Sequence, residues 1–435
     1  MPVPFASKLA VLPDNPLVPT LSRPAPSGGN CRLCGARLHE DLIDLGCLPL
    51  AGHSVPADAT LVEPARHLRI RVCGACTLVQ THDPMPSMPL PRSDLQRSAP
   101  RREHARRLAA ALIQKWRLGP DSRVVQVGSG DGMLLRHFRT AGIAAVGIDA
   151  RGVDAREIDA YPDATPDIPT ETTVLTTETA MDIAVKLGRA DVVIVDGVLP
   201  KVLDMFDFAA GLASIVRPNG IVSITVPYVL PILQQLQFDA LRHDVHAYLS
   251  LRVLERLLCS VGLRVFDAER LPENGGLLWL HACVANARFP ARHGLKAIRT
   301  AETLAETDPP GLYDGFSARV GAARDHIREF VTLRQAAGRY VAAYGATARS
   351  SMLLNVCGLT SRDVACVADI DPAPFGRRLP GSRVPIVPLQ MLKGDPPDDL
   401  LILPWPDAHE IAGTLQAPRH RGMQLWTLLP RIARV

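Results

Sequence analysis

The chain lacks a strong charge of either sign. Its 48 lysines and arginines exceed its 44 acids by only four, a formal net charge of +4. So weak an excess gives no whole-molecule field for nucleic acid or a membrane surface, and neither is expected as a partner. No apolar run approaches the roughly 18 residues that a bilayer crossing needs. The opening Met1-Pro2-Val3-Pro4 lacks the charged and apolar regions of a secretory signal. No internal repeat of about 20–50 residues is present. A disulfide framework is also excluded. The nine cysteines are an odd count in a long chain, and four of them form two Cys-x-x-Cys pairs. That usage points to a reducing cytoplasmic setting with a metal site.

What is present is an ordinary globular composition, 47% hydrophobic and 21% charged over 435 residues. This suffices for two to four domains with real cores. Residues 1–30 carry Pro2, Pro4, Pro13, Pro16, Pro19, Pro24 and Pro26, so a flexible, proline-rich tail is expected there. Residues 31–90 are marked by cysteines and short of long periodic stretches, as in a small metal-stapled module. Residues 91–300 alternate strand-like and helix-like patterns, the α/β signature. The last segment, 301–435, opens with a helical stretch broken at Pro309-Pro310-Gly311 and carries a second α/β pattern from about 338.

Cys31-Arg-Leu-Cys34 and Cys73-Gly-Ala-Cys76 are separated by 38 residues. Zinc takes four tetrahedral thiolates at about 2.3 Å, and two knuckles fill that shell with no position left for water. The ion expected is therefore structural, not catalytic. Gly35 and Gly74 suit the tight turns of two such knuckles. Reduced, unliganded cysteines are the competing reading. A thioredoxin-type redox pair is weaker, because neither pair follows a βαβ pattern. Cys47 and His53, between the pairs, are taken as bystanders.

Leu108, Leu112, Ile113 and Trp116 recur at helical spacing, and Gly119-Pro120 stops that helix. Arg123–Val127 then reads as a buried strand. Gly128-Ser129-Gly130-Asp131-Gly132 follows, and Met133 opens a helix. Glycines here let backbone approach a ligand where a Cβ would clash. Ile143–Ile148 reads as the next strand, ending in Asp149, which is placed to bond both hydroxyls of an adenosine ribose. The spacing is not that of a dinucleotide fingerprint. Asp131 in the loop would repel a pyrophosphate, and together with Asp149 it favours S-adenosylmethionine (SAM) over a dinucleotide. Asp191–Val195 reads as a further strand with Asp196 at its end, followed by Gly220–Thr225. Asp196 and Gly197 should lie at the carboxyl edge of the sheet, where methyl donor and acceptor meet.

Several acceptors are disfavoured. The residues Asp196-Gly-Val-Leu-Pro-Lys201 are not the N/D-P-P-Y motif of base N-methyltransferases. No Pro-Cys nucleophile follows this strand, which argues against cytosine C5 methylation. Arg92, Arg97, Arg101, Arg102, Arg106 and Arg107 form a local basic run. It lacks the interleaved aromatics of a single-strand binder; a solvated helix face is the expected reading, with phosphate binding the competing one.

In the last segment Arg339–Tyr344 reads as a strand, Gly345-Ala-Thr347 as a tight turn, Ser351–Val356 as a helix start and Val364–Ala368 as the next strand. Asp369 and Asp371 follow. This is a second Rossmann-like unit with one glycine at its turn, so a second full dinucleotide site is not expected.

The chain carries further markers in order. They are Leu45-Gly-Cys-Leu-Pro-Leu50-Ala51, Phe238-Asp239, His243-Asp244, Tyr248–Leu251 and Gly275-Gly276, then Leu353-Leu354-Asn355, Pro380-Gly381 and Leu403-Pro-Trp405. With the cysteine pairs and the glycine loop, this order resembles the three-domain, SAM-dependent C-methyltransferases that act on nucleotide-linked keto-deoxysugars in antibiotic and surface-polysaccharide pathways. The similarity spans about residues 30–420. The resemblance implies a zinc-binding module, a central Rossmann-like SAM-methyltransferase sheet and a C-terminal Rossmann-like α/β domain that helps hold a nucleotide sugar. It also implies a base that removes the proton next to a ketone, and an enolate carbon that takes the methyl.

The departures fall in the acceptor half. The family segment usually reads Tyr-His-Glu-His, its second histidine being the expected base. Here it is Arg242-His243-Asp244-Val245. A family histidine after the fourth strand aligns with Lys201, whereas His104 fits the pattern. Asp244 matches the family glutamate, one methylene shorter, which pulls its carboxylate back by about 1.5 Å. Three explanations compete. The base is His243, Asp244 or His246; or Lys201 acts as base or enolate-stabilising cation; or the acceptor is an easier nucleophile or none.

Overall fold

A computed structural model of the chain describes residues 29–52, 54–58, 63–85, 99–150, 168–307, 311–394, 396–415 and 422–435. The proline-rich tail, apart from Gly29 and Asn30, lies outside these residues, as do His53, Arg92 and Arg97. Among the described residues no helix is long and apolar enough to cross a membrane.

The N-terminal module is an antiparallel sheet. Strand Asp41–Pro49 pairs with Ala65–Val72, and that strand pairs with Val79–Thr81. The fourth strand, Ala247–Tyr248, comes from the middle of the chain and pairs with Gln80 and Val79. The segment that carries His243 to Tyr248 is therefore built into the sheet of the cysteine module. Three hydrogen bonds reinforce the join. The Thr81 hydroxyl donates to the Val245 carbonyl at 2.6 Å, Thr81 N donates to His246 O at 3.1 Å, and His243 Nε2 meets the Arg66 carbonyl at 2.9 Å.

The central sheet has seven strands. Their order is Leu263–Leu271, Leu277–Val284, Val216–Pro227, Ala190–Asp196, Arg123–Val127, Ala144–Ile148 and Thr170–Glu171. Leu277–Val284 runs antiparallel to both its neighbours, and the other adjacent pairs are parallel. Val124, Val192, Val193, Ile194 and Val195 are fully buried, the continuous apolar run of a sheet covered on both faces. Strand order reverses between Arg123–Val127 and Ala190–Asp196. A ligand crevice forms at such a switch, outside the carboxyl ends of the strands. Both the glycine loop and Asp196 leave the sheet there.

The C-terminal sheet has the order Ile386–Pro388, Val367–Asp369, Val341–Tyr344, Asp399–Ile402, Gln424–Thr427 and Ala433–Arg434, parallel except for the last pair. The α/β class and the two Rossmann-like sheets are as the sequence implied. Several boundaries differ for local reasons. Helix Ala348–Cys357 starts three residues before the expected Ser351, because the Thr347 side chain caps it by accepting from Ser350 N. Strand Val367–Asp369 starts later than Val364. Asp363 accepts from Thr360 N at 2.8 Å and closes a turn over that stretch. Strand Val216–Pro227 starts before Gly220, across a register irregularity between Ala190 and Val192.

Several of the ordered markers meet at domain joints. The Asp239 carboxylate, 1% exposed, receives Arg349 Nε at 2.7 Å and Nη2 at 3.0 Å, and Trp405 Nε1 at 3.1 Å. A Cβ on Gly275 would lie 2.7 Å from Gln237 Oε1 and 3.1 Å from the Trp405 ring. Asn355 Nδ2 donates to the Pro380 carbonyl at 3.0 Å, and a Cβ on Gly381 would lie 2.5 Å from Pro49. These markers read as joints between modules, where close approach tolerates no larger side chain.

Candidate active site

The cysteine pairs converge. The Sγ atoms of Cys31, Cys34, Cys73 and Cys76 all lie within 4.8 Å of one another. Cys31 and Cys76 are 3.5 Å apart, as are Cys34 and Cys73. Tetrahedral thiolates at about 2.3 Å from zinc stand about 3.8 Å from each other, so the quartet fits that ion and leaves no open position. Leu33 N approaches Cys31 Sγ at 3.4 Å, an outer-shell contact that favours the thiolate. Arg32 is buried between the knuckle and the neighbouring sheet, and its guanidinium has no hydrogen-bond partner among the described residues. Burial pulls it down to about 10, with the charge of Cys31 opposing that shift. A zinc tetrathiolate is net anionic and supplies the counter-charge this cation lacks. One detail of the turns differs from expectation. The second knuckle places Thr77, φ 61°, where the first has Gly35, φ 73°. A Cβ on Gly74 would meet nothing within 4 Å, so that glycine is not sterically required. Cys47 is exposed and stands apart from the quartet.

The glycine loop sits at the switch point. Gly128, Gly130 and Gly132 have φ of 73°, 57° and 76°. A Cβ on Gly128 would lie 2.2 Å from Val198 Cγ2, so the loop closes against the turn after Asp196. Gly130 N donates to Asp149 Oδ2 at 2.9 Å, and Asp149 is buried at the end of its strand. Ser129 is buried against strand Ala144–Ile148, with its hydroxyl unpartnered among the described residues. Asp131 Oδ1 accepts from Met133 N at 3.1 Å. A carboxylate thus occupies the helix N-terminus that a pyrophosphate would need. The cradle fits SAM and disfavours a dinucleotide. Gly128, Ser129, Gly130, Asp131 and Gly132 come together with Asp149, and Asp196 stands across the crevice.

The candidate acceptor residues lie along the same edge. Asp244 is gripped by Arg242 Nη2 at 2.7 Å and Lys201 Nζ at 2.9 Å. Burial alone would raise its carboxyl, but the two cations outweigh it and hold the group well below the usual carboxylate range. His243 is lowered by burial, against the pull of the Arg66 carbonyl. His246 is brought down to about 4 by burial and by Arg32, and its backbone N donates to Pro200 O at 2.8 Å. One residue that fits the family pattern carries no role in the sequence reading. His104, on helix Ala99–Trp116, places Nε2 3.6 Å from Asp196 Oδ2. Asp196 raises it, with burial opposing and Glu273 assisting. The pair spans 92 positions, and only tertiary packing brings the two side chains together.

A closed cysteine quartet, a glycine cradle at the switch point and this strand order define a zinc-binding, SAM-dependent methyltransferase. Comparisons with known proteins carry the assignment further. Three family descriptions match: a zinc-binding domain over residues 31–88, a methyltransferase domain over 101–268 and a C-methyltransferase C-terminal domain over 272–430. The C-methyltransferase NovU of Streptomyces niveus is 31% identical over 390 residues, covering 88% of this chain and 90% of that protein. The chain therefore belongs to the three-domain C-methyltransferase family that its ordered motifs resemble. Among solved structures, the 1,6-didemethyltoxoflavin-N1-methyltransferase of Burkholderia thailandensis is 16% identical, covering 42% of this chain and 80% of that one, with a TM-score of 0.32. The magnesium protoporphyrin IX methyltransferase of Synechocystis PCC 6803 is 17% identical, covering 42% and 78%, with a TM-score of 0.30. Likeness at that level says nothing about the acceptor.

Proposed function

We propose that the protein transfers the methyl group of SAM to a carbon next to the ketone of a nucleotide-linked deoxysugar, through an enolate. The observation that carries this reading is the 31% identity to a C-methyltransferase across nearly the whole of both chains. SAM, when bound, supplies an electrophilic methyl. The chain's own residues do the rest. Gly128–Gly132 and Asp149 hold the donor, with Asp196 beside its reactive end. Lys201 and Arg242, joined through Asp244, set positive charge at the edge where a developing enolate oxygen would sit, and a fixed cation there lowers the barrier. The zinc module carries the 242–248 segment into place. The C-terminal domain, expected at 301–435, contributes to holding the nucleotide.

A second reading follows from a specific observation. Val245 stands where the family's base is expected, and Asp244 is tied up by two cations. An oxygen or nitrogen acceptor needs no carbon acid to be deprotonated. Incubation with methyl-labelled SAM and a panel of keto-sugar nucleotides, followed by NMR location of the new methyl, separates the readings. A new C–CH3 signal is expected. An O- or N-methyl signal supports the second reading, and silence across the panel supports a non-catalytic SAM binder.

A further inference from the structure

We infer that His104, oriented by Asp196, is the general base of this enzyme. The inference rests on the carbon-methylation reading and deepens it by naming the atom that takes the proton.

A carbon acid beside a ketone must give its proton to something, and valine has no atom to receive it. The sequence candidates along the edge are each engaged otherwise. Asp244 is a carboxylate between two cations, and protonating it would break both pairs. Lys201 is one of those cations. His243 donates Nε2–H to the Arg66 carbonyl at 2.9 Å; its Nδ1 keeps a lone pair but is sealed from solvent without a partner among the described residues, and burial lowers its basicity. His246 is neutral but is weakened by burial and by Arg32 to about 4. A base so far below working pH is a poor proton acceptor.

His104 has the opposite surroundings. Its Nε2 faces Asp196 Oδ2 at 3.6 Å, an ion-pair distance just beyond a direct hydrogen bond; a carboxylate on that side favours the tautomer with hydrogen on Nε2 and the lone pair on Nδ1. Among the described residues no hydrogen bond reaches Nδ1. Nucleophile-activating histidines use the same logic, one nitrogen anchored by a carboxylate and the other free to act. The imidazole is 15% exposed and Asp196 28%, so the pair is neither sealed in nor fully solvated. Asp196 ends the central strand, and the next residue, Gly197, has open space where a Cβ would point. The charged groups facing His104 are Asp196, Glu273 and Arg107. Arg107 Nη2 meets Glu273 Oε1 at 3.2 Å, which ties the helix to the edge. The two carboxylates raise the imidazole above its ordinary value, with Arg107 and burial opposing. The shift makes it a stronger proton acceptor than His243 or His246, both of which burial lowers.

The step balances as follows. Nδ1 takes the proton from the carbon next to the ketone, and the C–H electron pair becomes the enolate double bond with charge on oxygen. The enolate carbon forms the new C–C bond as the methyl–sulfur bond breaks, and that pair leaves on the sulfur of S-adenosylhomocysteine. The imidazolium then passes its proton to water.

The test uses the full chain and the keto-sugar nucleotide that the wild type methylates. Solvent exchange of the acidic carbon-bound proton is followed by NMR in D2O, with S-adenosylhomocysteine bound in place of SAM. The wild type is expected to exchange that proton and to methylate the same carbon. His104→Gln should slow the exchange by about 100-fold or more while SAM affinity, read by calorimetry, stays within about twofold. Asp196→Asn keeps the imidazole but removes its anchor. Its pH–rate profile should show the acidic limb moved to lower pH, because the group that raises His104 is gone. Wild-type exchange rates in His104→Gln, or an unmoved acidic limb in Asp196→Asn, would overturn the assignment. A wild-type product methylated on oxygen or nitrogen is a different failure: it removes the carbon reading itself.

Discussion

The chain contains two Rossmann-like sheets built on the same local plan, and the second carries at its turn the residues that join it to the first. In the central sheet, the loop after Arg123–Val127 donates Gly130 N to Asp149 at the end of the next strand, at 2.9 Å. In the C-terminal sheet, the turn after Val341–Tyr344 donates Ala346 N to Asp369 at the end of its next strand, at 2.6 Å. The first glycine of each turn is packed alike, a Cβ on Gly128 falling 2.2 Å from Val198 and one on Gly345 2.3 Å from Pro404. The difference lies beyond the turn, where Trp405 and Arg349 of the second sheet are committed to Asp239 of the central domain. The acidic group drawn to the first turn of helix Ala348–Cys357 is thus the protein's own carboxylate. The same βαβ turn thus serves as a candidate cradle in one sheet and carries a domain joint in the other.

The largest expected effect tests the module that touches both sheets. Structural zinc contributes on the order of 10 kcal/mol to the fold of such a module. Chelation should therefore unfold residues 31–81 and also free the 242–248 segment, whose strand Ala247–Tyr248 pairs with Val79–Thr81. Hydrogen exchange read by mass spectrometry should rise in both segments, with Gly128–Gly132 little changed. Next comes the joint. Asp239→Ala leaves the Arg349 cation without its bidentate partner, and should lower chemical-denaturation stability by about 3–5 kcal/mol, with SAM affinity of the folded protein unaltered. If SAM affinity falls with stability, the two sheets are not separable as described.

A glycine pair sharpens the contrast. Gly128→Ala puts a Cβ 2.2 Å from Val198 Cγ2 at a φ of 73°. A left-handed conformation alone costs a non-glycine residue roughly 1–2 kcal/mol, and overpacking costs about 1–3 more. SAM affinity should fall at least about 30-fold by calorimetry. Gly345→Ala should destabilise the fold to a similar degree and leave that affinity within about twofold. The smallest effect is in pH. His246 sits near 4 when folded, against an ordinary value near 6.5. Between those values the unfolded chain binds the extra proton, so stability falls as pH drops from about 6.5 toward 4. His246→Gln should flatten that part of the stability–pH curve relative to wild type.

The contrast also explains what was legible in the sequence. The cofactor half is local. Strand Arg123–Val127, five loop residues and the carboxylate at the end of the next strand lie within 27 positions, and each is signalled by period, glycine or charge. The knuckles are local too, although the left-handed position of the second turned out to be Thr77. The acceptor half is assembled from helix Ala99–Trp116, the turn at Leu199–Lys201 and the 242–248 segment. No short-range pattern says that His104 meets Asp196, or that Lys201 and Arg242 meet at Asp244. The same holds for Phe238-Asp239 and Leu403–Trp405. The sequence marked them as a set, but only their meeting shows that they form a joint between domains.

Binding of one SAM per chain, in the first sheet and not the second, is what separates the two sheets most sharply. Calorimetric titration of S-adenosylhomocysteine into wild type, Asp149→Ala and Asp369→Ala tests it directly. One site per chain is expected in wild type and in Asp369→Ala, with loss of that site in Asp149→Ala. Retained binding in Asp149→Ala, or loss in Asp369→Ala with the fold intact, would contradict it.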